Sequence, residues 1–149
     1  MYERLSSRVN EVIKLANAFA REYEQEYVGT EHVLLGIVRE GAGLGAKIIS
    51  EAGGNESRVR AEVDKLIKAS LEDTWVFGRL PGTPHFRNVM ARAIEEARAL
   101  NSAEVGTEHL LLGLLVEKGS VAYEVLKTLG LSAKSVRSKV TEAAKKKAS

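Results

Sequence analysis

The sequence predicts an all-α fold of two four-helix repeats with pseudo-two-fold symmetry, eight helices in all. The main observation is a duplication, because segment 28–37 returns almost unchanged as segment 105–114. The alignment that places Glu31 opposite Glu108, which we call the repeat register, holds without gaps over most of each half. Apolar residues also recur at the i, i+3 and i+4 spacing of amphipathic helices. A long unit that is present twice indicates a doubled bundle rather than a solenoid of many repeats.

Four helices are expected in the first half. Their expected N-caps are polar residues: Ser6 or Ser7, Thr30, and Asn55. Glu31 lies in the first turn of the second helix, where a carboxylate complements the helix dipole. The expected breaks are glycine-rich segments, at residues 41–45 and 53–54.

The second half repeats this plan. Thr83-Pro84 is an N-cap followed by proline at the first helical position, which is a strong start signal. Further helices are expected from about Glu108, Val121 and Ala133, with breaks at Gly119 and Gly130. No segment is typical of a β-strand.

Two glycines lie inside strongly apolar helices, Gly36 in the first half and Gly113 in the second. Glycine in a helix interior costs about 1 kcal/mol relative to alanine. We therefore expect both to mark places where two helices approach closely.

The domain organisation predicted is a single domain over residues 1–149. Its parts are repeat one (5–68), a linker (70–82) and repeat two (83–146). The linker carries the only tryptophan, Trp75, together with Phe77. We expect these aromatic side chains to pin the linker onto the bundle, and the alternative is an exposed aromatic docking patch.

Composition excludes several classes of protein. The chain has 149 residues, 44% of them hydrophobic, a net charge of +2 and no cysteine. It therefore has no disulfide, zinc–thiolate site or thiol nucleophile. Acidic and basic residues nearly balance, which does not favour nucleic acid or an anionic membrane as a partner. No apolar run approaches the roughly 20 residues of a membrane span, and the charged N-terminus is not a secretory signal. A cytoplasmic protein is the default expectation.

Two motifs resemble catalytic or nucleotide sites but have the wrong spacing. A helical zinc pair needs histidines at i and i+4, whereas each half has one histidine beside one glutamate. The glycine-rich segment 41–47 lacks the spacing of a phosphate-binding P-loop and follows a helix rather than a strand. The chain thus has no ATPase motif, and we expect neither a metal nor a cofactor in it.

The repeated string Gly-Thr-Glu-His is unexplained by capping alone, because an N-cap requires only the threonine. A glutamate at a helix start is well placed to receive a guanidinium group. Nearby helix N-termini can hold an anion. These residues are therefore the candidates for a binding site that occurs twice.

Three features together carry a resemblance to a known family. They are the opening Tyr2-Glu3-Arg4-Leu5, the doubled Gly-Thr-Glu-His-x-Leu-Leu-Gly, and Gly82-Thr83-Pro84. Over essentially its whole length the chain resembles the Clp N-terminal domain of Hsp100/Clp unfoldases, and is most similar to the ClpC branch. The resemblance implies an all-α double repeat that recruits adaptor proteins and substrates. It also implies a parent ATPase ring above a ClpP-type protease, in the cytoplasm or the plastid stroma, with ATP bound in downstream modules.

The resemblance also implies a ligand, because some relatives bind phosphorylated arginine at two symmetric sites. There the glutamate takes the guanidinium and a threonine at the repeat start helps to hold the phosphate. Carried over, the site residues are Glu31 with Ser6, and Glu108 with Thr83. Ser6 stands where threonine is more usual, and the basic residues that commonly follow Thr-Pro are thinned to His85-Phe86-Arg87-Asn88.

Two alternative functions remain at this stage. One is a free-standing accessory protein of a Clp protease, which a downstream Walker A motif in the gene would exclude. The other is a small enzyme that uses Glu31, Glu108 and the neighbouring histidines, which a metal assay and a hydrolase panel address.

Overall fold

The computed structural model describes residues 4–24, 28–77 and 83–148, with side chains for residues 5–24, 28–66 and 85–145. Within these ranges the chain forms eight helices and two very short strands. The helices are α1 (Ser7–Glu22), α2 (Thr30–Glu40), α3 (Leu44–Glu51), α4 (Glu56–Phe77), α5 (Thr83–Ala99), α6 (Thr107–Val116), α7 (Val121–Thr128) and α8 (Ala133–Ala148). The strands are β1 (Arg4–Leu5) and β2 (Glu104–Val105).

The helix order confirms the predicted double repeat. In the repeat register, the starts of α6, α7 and α8 coincide with those of α2, α3 and α4, and the start of α5 nearly coincides with that of α1. Within each repeat the first helix packs against the second, and α2 and α6 also pack against each other. The predicted all-α fold of two four-helix repeats is therefore confirmed. No helix of the described ranges combines the length and the apolar character that a membrane crossing requires.

The strands were not predicted, and they join the two repeats. β1 pairs in parallel with β2, so that Leu5 lies opposite Val105. The next N–H along the chain, that of Ser6, donates to the Val105 carbonyl at 3.0 Å. Strands of two residues can pair because the tertiary fold brings them together, without alternating apolar and polar residues. No local sequence signal therefore predicted them. As a result, the start of α1 lies beside the start of α6.

The predicted linker differs from the structure, because α4 continues past Ser70 as far as Phe77. Residues 55–77 contain neither glycine nor proline, so nothing in that segment ends the helix. The side chains of Trp75 and Phe77, and residues 78–82, lie outside the described residues. Their role therefore stays a prediction.

The core centres on α2 and α6, whose residues are buried over nearly their whole length. A Cβ atom added at Gly36 would lie 2.7 Å from the Val12 carbonyl oxygen. At Gly113 it would lie 2.7 Å from the Val89 carbonyl oxygen. Such atoms would overlap with backbone, so the close helix approach expected at both glycines is confirmed.

The predicted N-cap of the second helix is wrong. Gly29 caps α2, Gly106 caps α6, and the threonines that follow are the first helical residues. The Thr107 hydroxyl instead accepts the Gly45 N–H at 3.0 Å, at the start of α3 in the other repeat. Asn55 does cap α4, since its side chain accepts the Arg58 N–H at 2.9 Å.

The equivalent hydrogen bond is made by the threonine of the first repeat to a helix of the second repeat. Thr30 accepts the Ala122 N–H at 3.3 Å, at the start of α7. Each threonine thus caps a helix of the other repeat and satisfies a buried donor there. We call the pair, Thr107–Gly45 and Thr30–Ala122, the reciprocal caps. They explain why the threonine is present in both halves and why the glycine-rich segment approaches α6 so closely.

Candidate functional site

The histidine of each Gly-Thr-Glu-His string has a structural role. His32 Nδ1 accepts the Gly29 N–H at 2.8 Å, and His109 Nδ1 accepts the Gly106 N–H at the same distance. A ring nitrogen that accepts carries no proton, so each ring is neutral. Burial lowers the pKa of His32 to about 4 and also lowers the pKa of His109. Both histidines are therefore helix-capping groups.

The glycine of the string makes room for the glutamate. A Cβ atom at Gly29 would collide with the Glu31 carboxylate, and one at Gly106 would collide with the Glu108 carboxylate. The carboxylate of each glutamate is therefore folded back over the helix start. Glycine, threonine and histidine each have a structural reason to recur. The glutamate complements the helix dipole, and it is the candidate ligand-binding residue of the string.

The two glutamates differ in exposure. Glu31 is 5% exposed, whereas Glu108 is partly exposed. Burial raises the pKa of Glu31, although its own backbone N–H and the nearby His85 act in the opposite direction. A ligand cation therefore reaches Glu108 more easily than Glu31.

Glu108 lines an open cleft of about 430 Å³ between the start of α1 and the start of α6. Ser6 and Arg8 line the same cleft, as do Ser102 and Glu104. We call it the α1–α6 cleft. It combines carboxylates, a guanidinium and the N-terminal end of a long helix.

Ser6 and Arg8 are fixed by neighbours. The Ser6 hydroxyl caps α1 by accepting the Val9 N–H at 3.1 Å. Arg8 donates to Glu40 at 3.1 Å, and Glu40 in turn accepts the Gly43 N–H at 2.8 Å. An arginine has five N–H donors, so Arg8 retains donors for an anion in the cleft. Sequence reasoning missed Arg8, although the repeat register aligns it with His85, in the segment already singled out.

The structure corrects the expected pairing of site residues. The α1–α6 cleft contains Ser6 with Glu108, not Ser6 with Glu31. Glu31 is instead close enough to His85, near the start of α5, for the charge of that residue to affect it. The reason is the β1–β2 pair, which brings the beginning of one repeat against the second helix of the other. Thr83 begins α5, and its side chain lies outside the described residues.

The positions of Arg8 and Glu40 carry a different pair in the second repeat. There, His85 Nδ1 lies 2.7 Å from Glu117 Oε2, and Asn88 donates to the same oxygen at 2.8 Å. Burial opposes ionisation of Glu117, but these hydrogen bonds outweigh it, so the pKa of Glu117 is lowered. A histidine thus occupies the place that an arginine has in the first repeat.

The chemistry of the α1–α6 cleft is that of binding. Glu108 can accept from a guanidinium, while Arg8 and the N-terminal end of α1 can hold an anion. Among the described residues there is no group of three or more histidine, aspartate or glutamate side chains placed to hold a metal ion.

The comparison with protein families identifies the repeat. The family model described as the Clp repeat (R) N-terminal domain matches residues 4–74 and 82–149. The chain is 40% identical over 140 residues to chaperone protein ClpC2, chloroplastic, of Oryza sativa subsp. japonica. It is 41% identical over 140 residues to the ATP-dependent Clp protease ATP-binding subunit ClpA homolog of Guillardia theta.

Both alignments cover 94% of this chain but 15% and 17% of those proteins, so the chain spans less than a fifth of their length. Among solved structures, a similar chain is the N-terminal domain of the caseinolytic protease associated chaperone ClpD from Arabidopsis thaliana. The TM-score is 0.68 at 22% sequence identity, with 100% of both chains covered. That likeness shows a shared fold.

Proposed function

Since this chain belongs to the Clp repeat N-terminal domain family, we propose that it is a non-catalytic recognition domain that docks adaptors and protein substrates. The observation that supports this function best is the α1–α6 cleft, which places acceptor and donor groups side by side. His32 and His109, which an enzyme at the repeated string would need as bases, are occupied in helix capping. This arrangement favours binding over catalysis.

The ligand we propose is phosphoarginine in a marked substrate. Glu108 receives the guanidinium through charge-assisted hydrogen bonds. Ser6, Arg8 and the N-terminal end of α1 receive the phosphate. Glu31 and Thr83 form the second proposed site, and the burial of Glu31 makes it the weaker one.

For the parent protein we propose an Hsp100/Clp unfoldase of the ClpC type. Its ATPase ring would take substrates from this domain and pass them to a ClpP-type protease. The relatives described as chloroplastic support the plastid stroma, and the cytoplasm is the alternative compartment. ATP would then bind in other modules of that protein.

The test is a calorimetric titration of the chain with two peptides that differ in one phosphoryl group. We expect a phosphoarginine peptide to bind and the matched arginine peptide to bind at least tenfold more weakly, because Arg8 and the helix N-terminus lose their anion. High salt should weaken the first interaction, as expected for exposed charges. Equal affinity for both peptides, or no binding of either, would reject phosphoarginine as the ligand.

A matched pair of variants separates the cleft from general charge effects. Arg8→Ala removes the cation of the cleft, whereas Arg58→Ala removes an exposed arginine of α4 that does not line it. The first should weaken phosphoarginine binding about tenfold, which corresponds to about 1.4 kcal/mol, and the second should leave it unchanged. Equal losses would mean that net charge alone attracts the peptide.

A further inference from the structure

A smaller pocket opens off the α1–α6 cleft towards α8. Its volume is about 180 Å³, and it shares Leu44, Ser102 and Glu108 with the cleft. Its other walls are Leu100, Val140, Ala143 and Ala144, which are apolar, together with Asn101 and His109. We call it the α8 pocket. Glu108 therefore stands where a polar cleft meets an apolar one.

Two walls of the α8 pocket carry smaller side chains than the equivalent positions of the first repeat. Tyr23 occupies the position equivalent to Leu100, and its ring centroid lies 5.8 Å from that of His32. Leu66 occupies the position equivalent to Ala143 and packs against the core. An aromatic ring thus lies beside His32, whereas Leu100 takes the equivalent position and lines the α8 pocket together with His109.

The size of the α8 pocket limits what it can hold. Apolar cavities of about 150 Å³ take up benzene-sized groups, whereas sites for drug-sized ligands measure about 300–1,000 Å³. A pocket of about 180 Å³ whose walls are mostly apolar therefore suits a single leucine, isoleucine, methionine or phenylalanine side chain.

We propose that the α8 pocket binds an apolar side chain of the same peptide whose guanidinium group is held by Glu108. The two pockets share a wall, so a peptide anchored in the cleft reaches the α8 pocket with a residue one or two positions away. The domain then reads two features, a charged arginine derivative and a nearby apolar residue. This inference rests on the proposed function and adds a sequence preference to it.

The experiment compares peptides of one length that contain a single phosphoarginine. Leucine or serine occupies the first or the second position on either side of it, and the remaining residues are glycine and serine. We expect one of the leucine peptides to bind about tenfold more tightly than the all-serine peptide, because leucine burial removes apolar surface from water. The probe is fluorescence anisotropy of the labelled peptides with the full chain.

Variants of α8 test whether the preference for leucine peptides arises in the α8 pocket. Ala143→Leu installs the residue of the first repeat, and should abolish the leucine preference while the all-serine peptide binds as before. Ala144→Leu, at a more exposed position of the pocket wall, is a second variant in which the α8 pocket is filled. Thr141→Leu is the control, since it adds the same side chain to an exposed position of α8 outside the pocket, and it should keep the preference.

The outcomes separate this inference from the proposed function. Equal binding of leucine and serine peptides overturns the apolar subsite and leaves phosphoarginine recognition standing. A leucine preference that survives both filled variants also overturns it, because the side chain then binds elsewhere. If no phosphoarginine peptide binds at all, both the subsite and the proposed ligand are wrong.

Discussion

In repeat one and repeat two, the same residues build the frame and different residues line the clefts. Gly36 and Gly113 let two helices touch, and the reciprocal caps join the repeats through Thr30 and Thr107. These residues coincide in the repeat register. The residues that hold the frame together are therefore the same in both repeats.

The clefts do not repeat in the same way. Arg8 paired with Glu40 becomes His85 paired with Glu117. Glu31 is buried, while its counterpart Glu108 is partly exposed beside the α8 pocket. The repeats therefore share a frame but differ in the residues that line their clefts, and the predictions below test that division.

The largest effect is expected at the helix crossings. Gly36→Ala and Gly113→Ala would each place a Cβ atom 2.7 Å from a backbone carbonyl oxygen of α1 or α5. Overpacking against backbone forces the helices apart, so we expect each variant to lose about 3 kcal/mol of stability, despite the better helix propensity of alanine. Urea unfolding measures this. A neutral result at one glycine alone would show that the two frames are not equivalent.

The reciprocal caps should come next. Thr107→Val leaves the buried Gly45 N–H without its acceptor and should cost about 2 kcal/mol. Thr30→Val should cost about 1 kcal/mol, because its bond to the Ala122 N–H is longer, at 3.3 Å. Threonine-to-serine variants keep the hydroxyl and are the control. Serine variants as unstable as the valine variants would mean that the methyl group, not the cap, matters.

A third effect is a pH dependence shared by both repeats. Burial lowers the pKa of His32 to about 4 and lowers that of His109, whereas an unfolded histidine titrates near 6.5. Below about pH 6.5 the unfolded chain therefore binds more protons than the folded one. Stability is fully present above that pH and should fall by about 1 kcal/mol per pH unit through His32 as the pH drops towards 4, and His109 acts in the same direction.

Urea melts between pH 7 and pH 5 measure this slope. Glutamine at the third position of a helix can also accept the N-cap N–H, so His32→Gln and His109→Gln should keep the caps and remove the titration. Glu31, whose pKa burial raises, contributes with the opposite sign in both the wild-type chain and the variants. A slope that is unchanged in the double variant would contradict the capping role of the neutral rings.

Local signals were enough to predict the helices and their order. The stripe of α1, with Val9, Val12 and Ala16 buried, follows from helical spacing. Asn55 and the internal glycines also acted as expected. The Asn55 cap is a contact between residues close in sequence. A glycine in a helix interior is costly, so its presence there indicates that packing requires it.

Contacts between the repeats could not be predicted from local patterns. The N-cap expected at Thr30 failed because its hydroxyl serves α7, 92 residues away. The pairing of Ser6 with Glu31 failed because the β1–β2 ladder joins the two repeats. Both errors concern which repeat a side chain faces, which depends on how the halves dock. The assignment of Ser6, Glu31, Thr83 and Glu108 as ligand-binding residues stays a prediction.

The most direct test of this account compares two equivalent substitutions. In a calorimetric titration with a phosphoarginine peptide, Glu108→Gln should weaken binding at least tenfold, since it removes a charge-assisted hydrogen bond from the open cleft. Glu31→Gln should change the affinity of the tighter site, the α1–α6 cleft, by less than about twofold, because Glu31 is buried. Thermal melts of both variants control for folding. The opposite order, or equal losses at the two positions, would contradict the claim that the repeats share a frame but differ in their clefts.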